Sequence, residues 1–253
     1  MPCGWASIEG PRTNCAYRTR PPRTYRPGMH TAIITGASRG LGLALARALD
    51  ERGWRLVLDA RGADALEQST QKLSNAVALP GDVADPAHRR ALVAIAGPQI
   101  DLLVNNASVL GPSPQPELAH YPLEVLEDVY RVNTIAPLAL TQLALPHIPD
   151  GGTIINVISD AGIEAYDGWG GYGSSKAAFE QWTAVLGVER PHLRIYALDP
   201  GDMRTQMHQE AFPGEDISDR PLPEESVPAF LALIDGQLQN GRYRAHDLSP
   251  VNA

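Results

Sequence analysis

The sequence predicts an α/β fold, a doubly wound seven-stranded parallel sheet with helices on both faces, built as a single domain. Three observations predict it. From residue 30 onward, short β-branched apolar runs alternate with helical patterns, as expected of a parallel sheet covered on both sides. A glycine-rich turn, TGASRGLG at 35–42, joins the first such run directly to a helical one. A chain of 253 residues with 43 % hydrophobic content can fill one large core.

In chain order, strands are expected at 30–35 (HTAIIT), 54–59 (WRLVLD), 76–79 (AVAL), 100–105 (IDLLVN), 152–158 (GGTIINVI without its first Gly), 193–198 (LRIYAL) and 242–245 (RYRA). Helices are expected at 41–52 (LGLALARALDER), 86–96, 122–145 and 172–190. Right-handed crossovers put the carboxyl ends of all strands on one rim, where ligands of open α/β sheets bind. The stretch 202–225, with Pro213, Pro221, Pro223 and several acids, breaks the rhythm and is expected to be a substrate loop or lid.

Residues 1–29 differ from the rest. They hold five Arg, one Glu, five Pro and both cysteines, Cys3 and Cys15, with no apolar periodicity. They lack a signal-peptide h-region, and their prolines disfavour a transit helix. The expectation is a disordered extension, or an upstream misreading with translation starting at Met29, which leaves 30–253 as the folded domain. A net charge of −8 argues against nucleic acid or an anionic membrane surface as partner. No apolar run of membrane-spanning length occurs. A body without cysteines fits a reducing cytoplasm. The seven His show no metal-ligand spacing, so no metal site is expected.

Glycines at 36, 40 and 42 let backbone turn tightly and approach a pyrophosphate, while the following helix offers free N–H groups and the positive end of its dipole. A tight strand–helix turn with no ligand is the bland alternative. The strand before and the helix after make the phosphate reading the stronger one.

TGASRGLG resembles the cofactor loop of the short-chain dehydrogenase/reductases, and further motifs follow in that family's order. Asp82-Val83 after the third strand is similar to its adenine contact, and Asn105-Asn106-Ala107 to its NNAG element, with Ser108 in place of the last Gly. Asn133, Ser159, Tyr172 and Lys176 match its catalytic tetrad, and Pro200-Gly201 with Thr205 its nicotinamide loop. The resemblance implies a Rossmann fold and a nicotinamide cofactor contacted by Gly36, Ser38, Arg39, Gly40, Leu41, Gly42, Arg61, Asp82, Val83, Asn106, Ala107, Tyr172, Lys176, Pro200, Gly201 and Thr205. It also implies a homodimer or homotetramer formed through the long helices around 122–145 and 172–190.

An acid at the end of the second strand would bind both ribose hydroxyls of NAD, and a basic residue there would attract the 2′-phosphate of NADP. In the family's register position 60 is Ala and the next residue Arg61; with Arg39, this favours NADP. A slip of one residue would make Asp59 the NAD acid, so NAD stays open.

The implied reaction interconverts a small carbonyl compound and its alcohol. Lys176 lies one helical turn after Tyr172 and is one of two lysines in a chain with nineteen arginines. A compact ammonium there favours phenolate, so that Tyr172 acts as the acid/base. Ser159 would hydrogen-bond the substrate oxygen. Asn133, by resemblance, holds the water that refills the proton. Taken singly, Ser159 could be a helix cap, Asn133 a buried amide and Tyr172 a helix-start aromatic. The run 168–173 is expected to let backbone approach ligand. Asp160 and Asp199 read as solvated loop acids, and Trp169, Met203, Met207 and Phe212 as pocket wall or lid packing. A catalytically silent dinucleotide-binding sensor on the same fold is the rival reading.

Overall fold

The computed structural model describes residues 28–248. Seven strands form one sheet: β1 (Thr31–Ile34), β2 (Arg55–Ala60), β3 (Ala76–Pro80), β4 (Leu102–Asn105), β5 (Thr153–Val157), β6 (Arg194–Asp199) and β7 (Gly241–Arg244). Their order is β3-β2-β1-β4-β5-β6-β7 and every neighbouring pair is parallel. The expected strands are all present, with ends shifted by at most two residues. The proposal for residues 1–29 lies, except for residues 28 and 29, outside the described residues.

Burial explains the continuous apolar strands. β1, β4 and β5 are buried at every position because both sheet faces are covered. Period-two alternation divides them: Ala32 and Ile34 join Leu56, Leu58 and Phe230 in one core, while Ile33 joins Val57, Leu103, Leu140 and Ile154 in the other. The first core is covered by α1 (Gly40–Glu51), which buries Leu41, Leu45 and Leu49 along one stripe. Next comes α2 (Ala63–Thr70), which buries only Leu66 and so left little periodic trace in the sequence. α3 (Pro86–Ala96) covers the second core; its start is set by the Asp85 carboxylate accepting from Ala87 N and by Pro86 in the first turn.

The long helix expected over 122–145 is in fact α4 (Leu123–Tyr130), a π-helical turn at Arg131–Ile135, and α5 (Ala136–Ala144). Pro137 has no N–H to pair with the Asn133 carbonyl four residues earlier, which disrupts the α-helical ladder at that turn. Then follow α6 (Gly170–Glu189), α7 (Gln206–Ala211), α8 (Val227–Asp235) and α9 (Ala245–Leu248). The stretch 202–225 is therefore no bare loop: α7 lies within it, started by Thr205 Oγ1 accepting from His208 N. Six residues are too few to show a helical period. On the helices where a subunit contact is expected, Ile135, Val185 and Val188 are exposed.

A polar ladder fixes α5 and α6 to the sheet centre. Asn105 Nδ2 donates to Thr141 Oγ1 at 3.1 Å and to Asn156 Oδ1 at 2.8 Å, and Asn156 Nδ2 donates to Thr183 Oγ1 at 2.8 Å. All four residues are buried. Asn156→Ala strips two partners at once and is expected to lower unfolding free energy by about 1–3 kcal/mol. Urea unfolding tests this: the midpoint should fall at unchanged slope, and a wild-type midpoint would show that the ladder contributes nothing.

Candidate active site

The chain crosses from β3 to β4 on the far side of β1, so the carboxyl ends of β1 and β4 open a crevice between them. Thr35 and Asn106 hold its two lips together. Thr35 Oγ1 accepts from Asn106 N at 2.9 Å and Ala107 N at 3.0 Å, while Asn106 Nδ2 donates to Thr35 O at 2.8 Å and Gly36 O at 3.2 Å. The Asn106 side chain therefore braces the glycine loop. Gly36 has φ +67°, and a Cβ there would sit 2.9 Å from Ala107 Cα; one on Gly42 would sit 2.6 Å from Gly36 O. Arg39, which precedes α1, makes no side-chain cap, and no acid lies in the first turn. Uncapped N–H groups and an unopposed helix dipole thus border the cleft, and this fits a pyrophosphate.

Asp59 is turned beneath the loop rather than out of it. It is 1 % exposed, and its carboxylate accepts from Gly36 N at 2.9 Å and is paired with His88 Nε2 at 3.2 Å. Its main-chain carbonyl accepts from Ala37 N. Arg61 is exposed beyond the end of β2, and Arg39 is exposed and hydrogen-bonded to the Gln206 side chain. Farther along the rim, Asp82 Oδ1 accepts from Ala84 N, and Val83 is buried with its carbonyl accepting from Arg89 Nη1.

Ser38, Arg39, Gly40, Leu41, Arg61, Asp82, Val83, Asn106, Ala107, Ser159, Tyr172, Lys176, Pro200, Gly201 and Thr205 all border one cleft of about 1310 Å³. That is ample for a dinucleotide and a small substrate. Ser159 follows β5, caps the turn Asp160–Gly162 by accepting from Ala161 N, and donates to Asp160 Oδ1 at 3.0 Å. The cap reading and the cleft reading of Ser159 both hold. Tyr172 lies in the first turn of α6 and Lys176 one turn on. Lys176 Nζ donates to Val157 O at 2.8 Å and lies 5.6 Å from the centre of the Tyr172 ring.

Burial governs both groups. It pushes the Tyr172 phenol up to about 12, with the charges of Asp160 and Asp199 adding to the rise and the Ser108 and Ser159 hydroxyls pulling it down. It pushes the Lys176 ammonium down to about 7, with nearby Asp199 opposing. The protein's own groups thus favour neutral phenol, where the sequence led us to expect phenolate. Desolvation is the largest cause for both groups, and it disfavours the charged form of each.

Asn133 is fully buried and its side chain is spent inside the protein. Oδ1 accepts from Val109 N at 2.8 Å and Ser108 Oγ at 3.1 Å, and Nδ2 donates to Val109 O at 2.9 Å and Ser175 Oγ at 3.1 Å. Only main-chain atoms of Asn133 are left to meet a water. Asp199 is no solvated acid: it is buried, accepts from Gly201 N at 3.1 Å and pairs with Arg242, which also bonds Glu180. Asp160, half-buried, accepts from Ser159 and from Tyr166 at 3.0 Å. The glycine run serves packing rather than ligand: a Cβ on Gly171 would strike the Tyr121 ring, and one on Gly173 would lie 2.4 Å from Ala161 O. Trp169, Met203 and Met207 border the cleft, whereas Phe212 packs behind Trp169 at 5.8 Å between ring centres. Thr205 leans over the glycine loop, its methyl 3.6 Å from where a Cβ on Gly40 would stand. Ser108, His88 and Arg242 are the contributors that sequence patterns did not reveal. No cluster of candidate metal ligands exists among the described residues, and no described helix is long and apolar enough to cross a membrane.

Comparison with known proteins agrees with this architecture. The short chain dehydrogenase family model matches residues 30–216. Short chain dehydrogenase asqE of Emericella nidulans is 35 % identical over 173 residues, 63 % of this chain and 64 % of that protein. Short chain dehydrogenase penD of Penicillium thymicola is 33 % identical over 243 residues, 83 % of this chain and 88 % of that one. A short chain dehydrogenase from Shigella flexneri, solved as a complex with NADP, superposes with a TM-score of 0.79 at 26 % identity, covering 86 % of this chain and 97 % of the other. With the parallel sheet, the uncapped glycine turn and the matched motifs in one cleft, the chain belongs to the short-chain dehydrogenase/reductase family of oxidoreductases.

Proposed function

We propose that this enzyme is an NADPH-dependent reductase that converts a small carbonyl compound to its alcohol, with Tyr172 as the proton donor. The observation that carries this reading is that one cleft is lined by Ser159, Tyr172 and Lys176 from the end of β5 and from α6 and by Arg39 and Arg61 from the ends of β1 and β2. NADP is favoured over NAD because Asp59, the acid that would read the ribose hydroxyls, is committed to Gly36 and His88 while two exposed arginines flank the loop. The relative solved with NADP supports the same choice.

When bound, the nicotinamide supplies the hydride. The chain supplies orientation and the proton. Ser159 turns its hydroxyl from Asp160 to the carbonyl oxygen and polarises it. The neutral phenol of Tyr172 gives its proton to the same oxygen as negative charge develops there. Lys176, held on the Val157 carbonyl, stabilises the phenolate that results. A phenol kept protonated by burial suits the reductive direction.

Tyr172→Phe is expected to lower turnover of a carbonyl panel with NADPH by about a hundredfold or more while leaving NADPH affinity unchanged; full turnover in that variant would end the proposal. Arg61→Ala is expected to weaken NADPH binding about tenfold with NADH binding unaffected, measured by fluorescence titration. Equal losses for both cofactors would assign Arg61 to something other than the 2′-phosphate.

Stability should also follow pH through Lys176. Its folded value of about 7 lies below the ordinary 10.5, so between these the unfolded chain binds the extra proton and stability rises with pH. The thermal midpoint of the wild type relative to Lys176→Met should climb from about pH 7 to about pH 9. A constant difference would mean that Lys176 is charged in the folded protein throughout.

A further inference from the structure

We infer that Ser108 is a further catalytic residue, a hydroxyl that swings its hydrogen bond from Asn133 Oδ1 to the Tyr172 oxygen as Tyr172 releases its proton. The inference rests on Tyr172 being the proton donor, as proposed above. It starts from a departure in sequence: Ser108 stands where the NNAG pattern has glycine, so this chain places a hydroxyl where the family pattern has none.

The structure puts that hydroxyl between the two groups that matter. Ser108 borders the catalytic end of the cleft with Ser159 and Tyr172. Its Oγ donates to Asn133 Oδ1 at 3.1 Å and, from the same cleft wall, acts on the Tyr172 phenol in the sense that favours phenolate. A serine hydroxyl has one proton and two lone pairs. With its proton committed to Asn133, Ser108 can only accept from the phenol. That arrangement suits the protonated acid.

Once the phenol has passed its proton to the substrate oxygen, the phenolate has none to offer, and Ser108 Oγ and the Tyr172 oxygen would face each other as two acceptors. Rotation about the Ser108 Cβ–Oγ bond turns the O–H onto the phenolate. No covalent bond is made or broken in this move, and the substrate alcohol retains the transferred proton. The rotation leaves Asn133 Oδ1 satisfied, because Val109 N still donates to it at 2.8 Å. The acceptor that Ser108 deserts is thus already provided for, and the switch leaves no buried polar atom without a partner. Asn133 is in turn held by Ser175, whose Oγ donates to Tyr172 O at 2.6 Å, so the frame in which the hydroxyl turns is tied to the turn of α6 that carries the phenol.

The test uses the full chain with Ser108→Ala, Ser108→Thr and Tyr172→Phe, 4-nitrobenzaldehyde with NADPH as the reductive probe, and 4-nitrobenzyl alcohol with NADP as the oxidative one. A hydrogen bond to a charged oxygen is expected to be worth about tenfold in rate. Ser108→Ala should therefore lower kcat about tenfold with KM within about twofold, and should move the rising limb of the oxidative pH profile up by about one unit. Ser108→Thr should restore both. Unchanged kcat and an unmoved oxidative pH profile in Ser108→Ala, or a change confined to KM, would overturn the assignment of Ser108 even with Tyr172→Phe inactive. Full activity of Tyr172→Phe would instead remove the reading on which it rests.

Discussion

The site depends on the clasp between Thr35 and Asn106 at the point where the strand order reverses. Thr35 Oγ1 takes two N–H groups from the β4 lip, and the Asn106 amide holds the carbonyls of Thr35 and Gly36. These bonds leave the glycine loop little freedom. The loop in turn places the uncapped start of α1 against the cleft, and the same β4 lip brings Ala107 and Ser108 to the cleft that Ser159, Tyr172 and Lys176 also line. The uncapped helix start and the cluster of Ser108, Ser159, Tyr172 and Lys176 thus share one junction. The close approach explains the glycines, since a Cβ on Gly36 or Gly42 would enter that junction.

Beneath the clasp the protein uses buried polar groups sparingly and in linked sets. The ladder through Thr141, Asn105, Asn156 and Thr183 ties α5 and α6 across the sheet centre. Asp59 and His88 brace the glycine loop from below, and Asp199, Arg242 and Glu180 tie the loop after β6 to β7 and α6. A linked network of this kind holds geometry to tolerances that apolar packing alone does not enforce, although Asn105 Oδ1 in the ladder has no partner among the described residues. The proposed reaction, with two titratable groups near a substrate oxygen, would draw on that rigidity.

Much of this was legible in the sequence because it rests on local patterns. Seven strands could be found because each is an apolar β-branched run between turns, and α1, α3 and α6 because their helical patterns run for eleven residues or more. The glycine turn was legible from its place between strand and helix, whereas the other cleft residues came from the resemblance of ordered motifs to a known family; the structure brings most of them to one cleft. What escaped was set by partners distant in the chain. α2 and α7 bury too little to leave a periodic signal. Asp199 reads as a loop acid until Arg242, 43 residues away, is seen beside it. The glycines of 168–173 point to ligand until Tyr121 and Ala161 are found packed against them. The charge state of Tyr172 could not be read from Lys176 alone, since burial shifts both residues and its extent is a property of the fold.

The central claim is that a buried, protonated Tyr172 delivers its proton to the carbonyl oxygen in the same step that reduces the carbon. A single-turnover measurement of NADPH oxidation by excess enzyme, run in H2O and in D2O, addresses it directly. The account predicts slower decay in D2O for the wild type and no such difference in the residual rate of Tyr172→Phe. Equal rates in the two solvents for the wild type, at a chemical step shown to be limiting by deuterated NADPH, would contradict it.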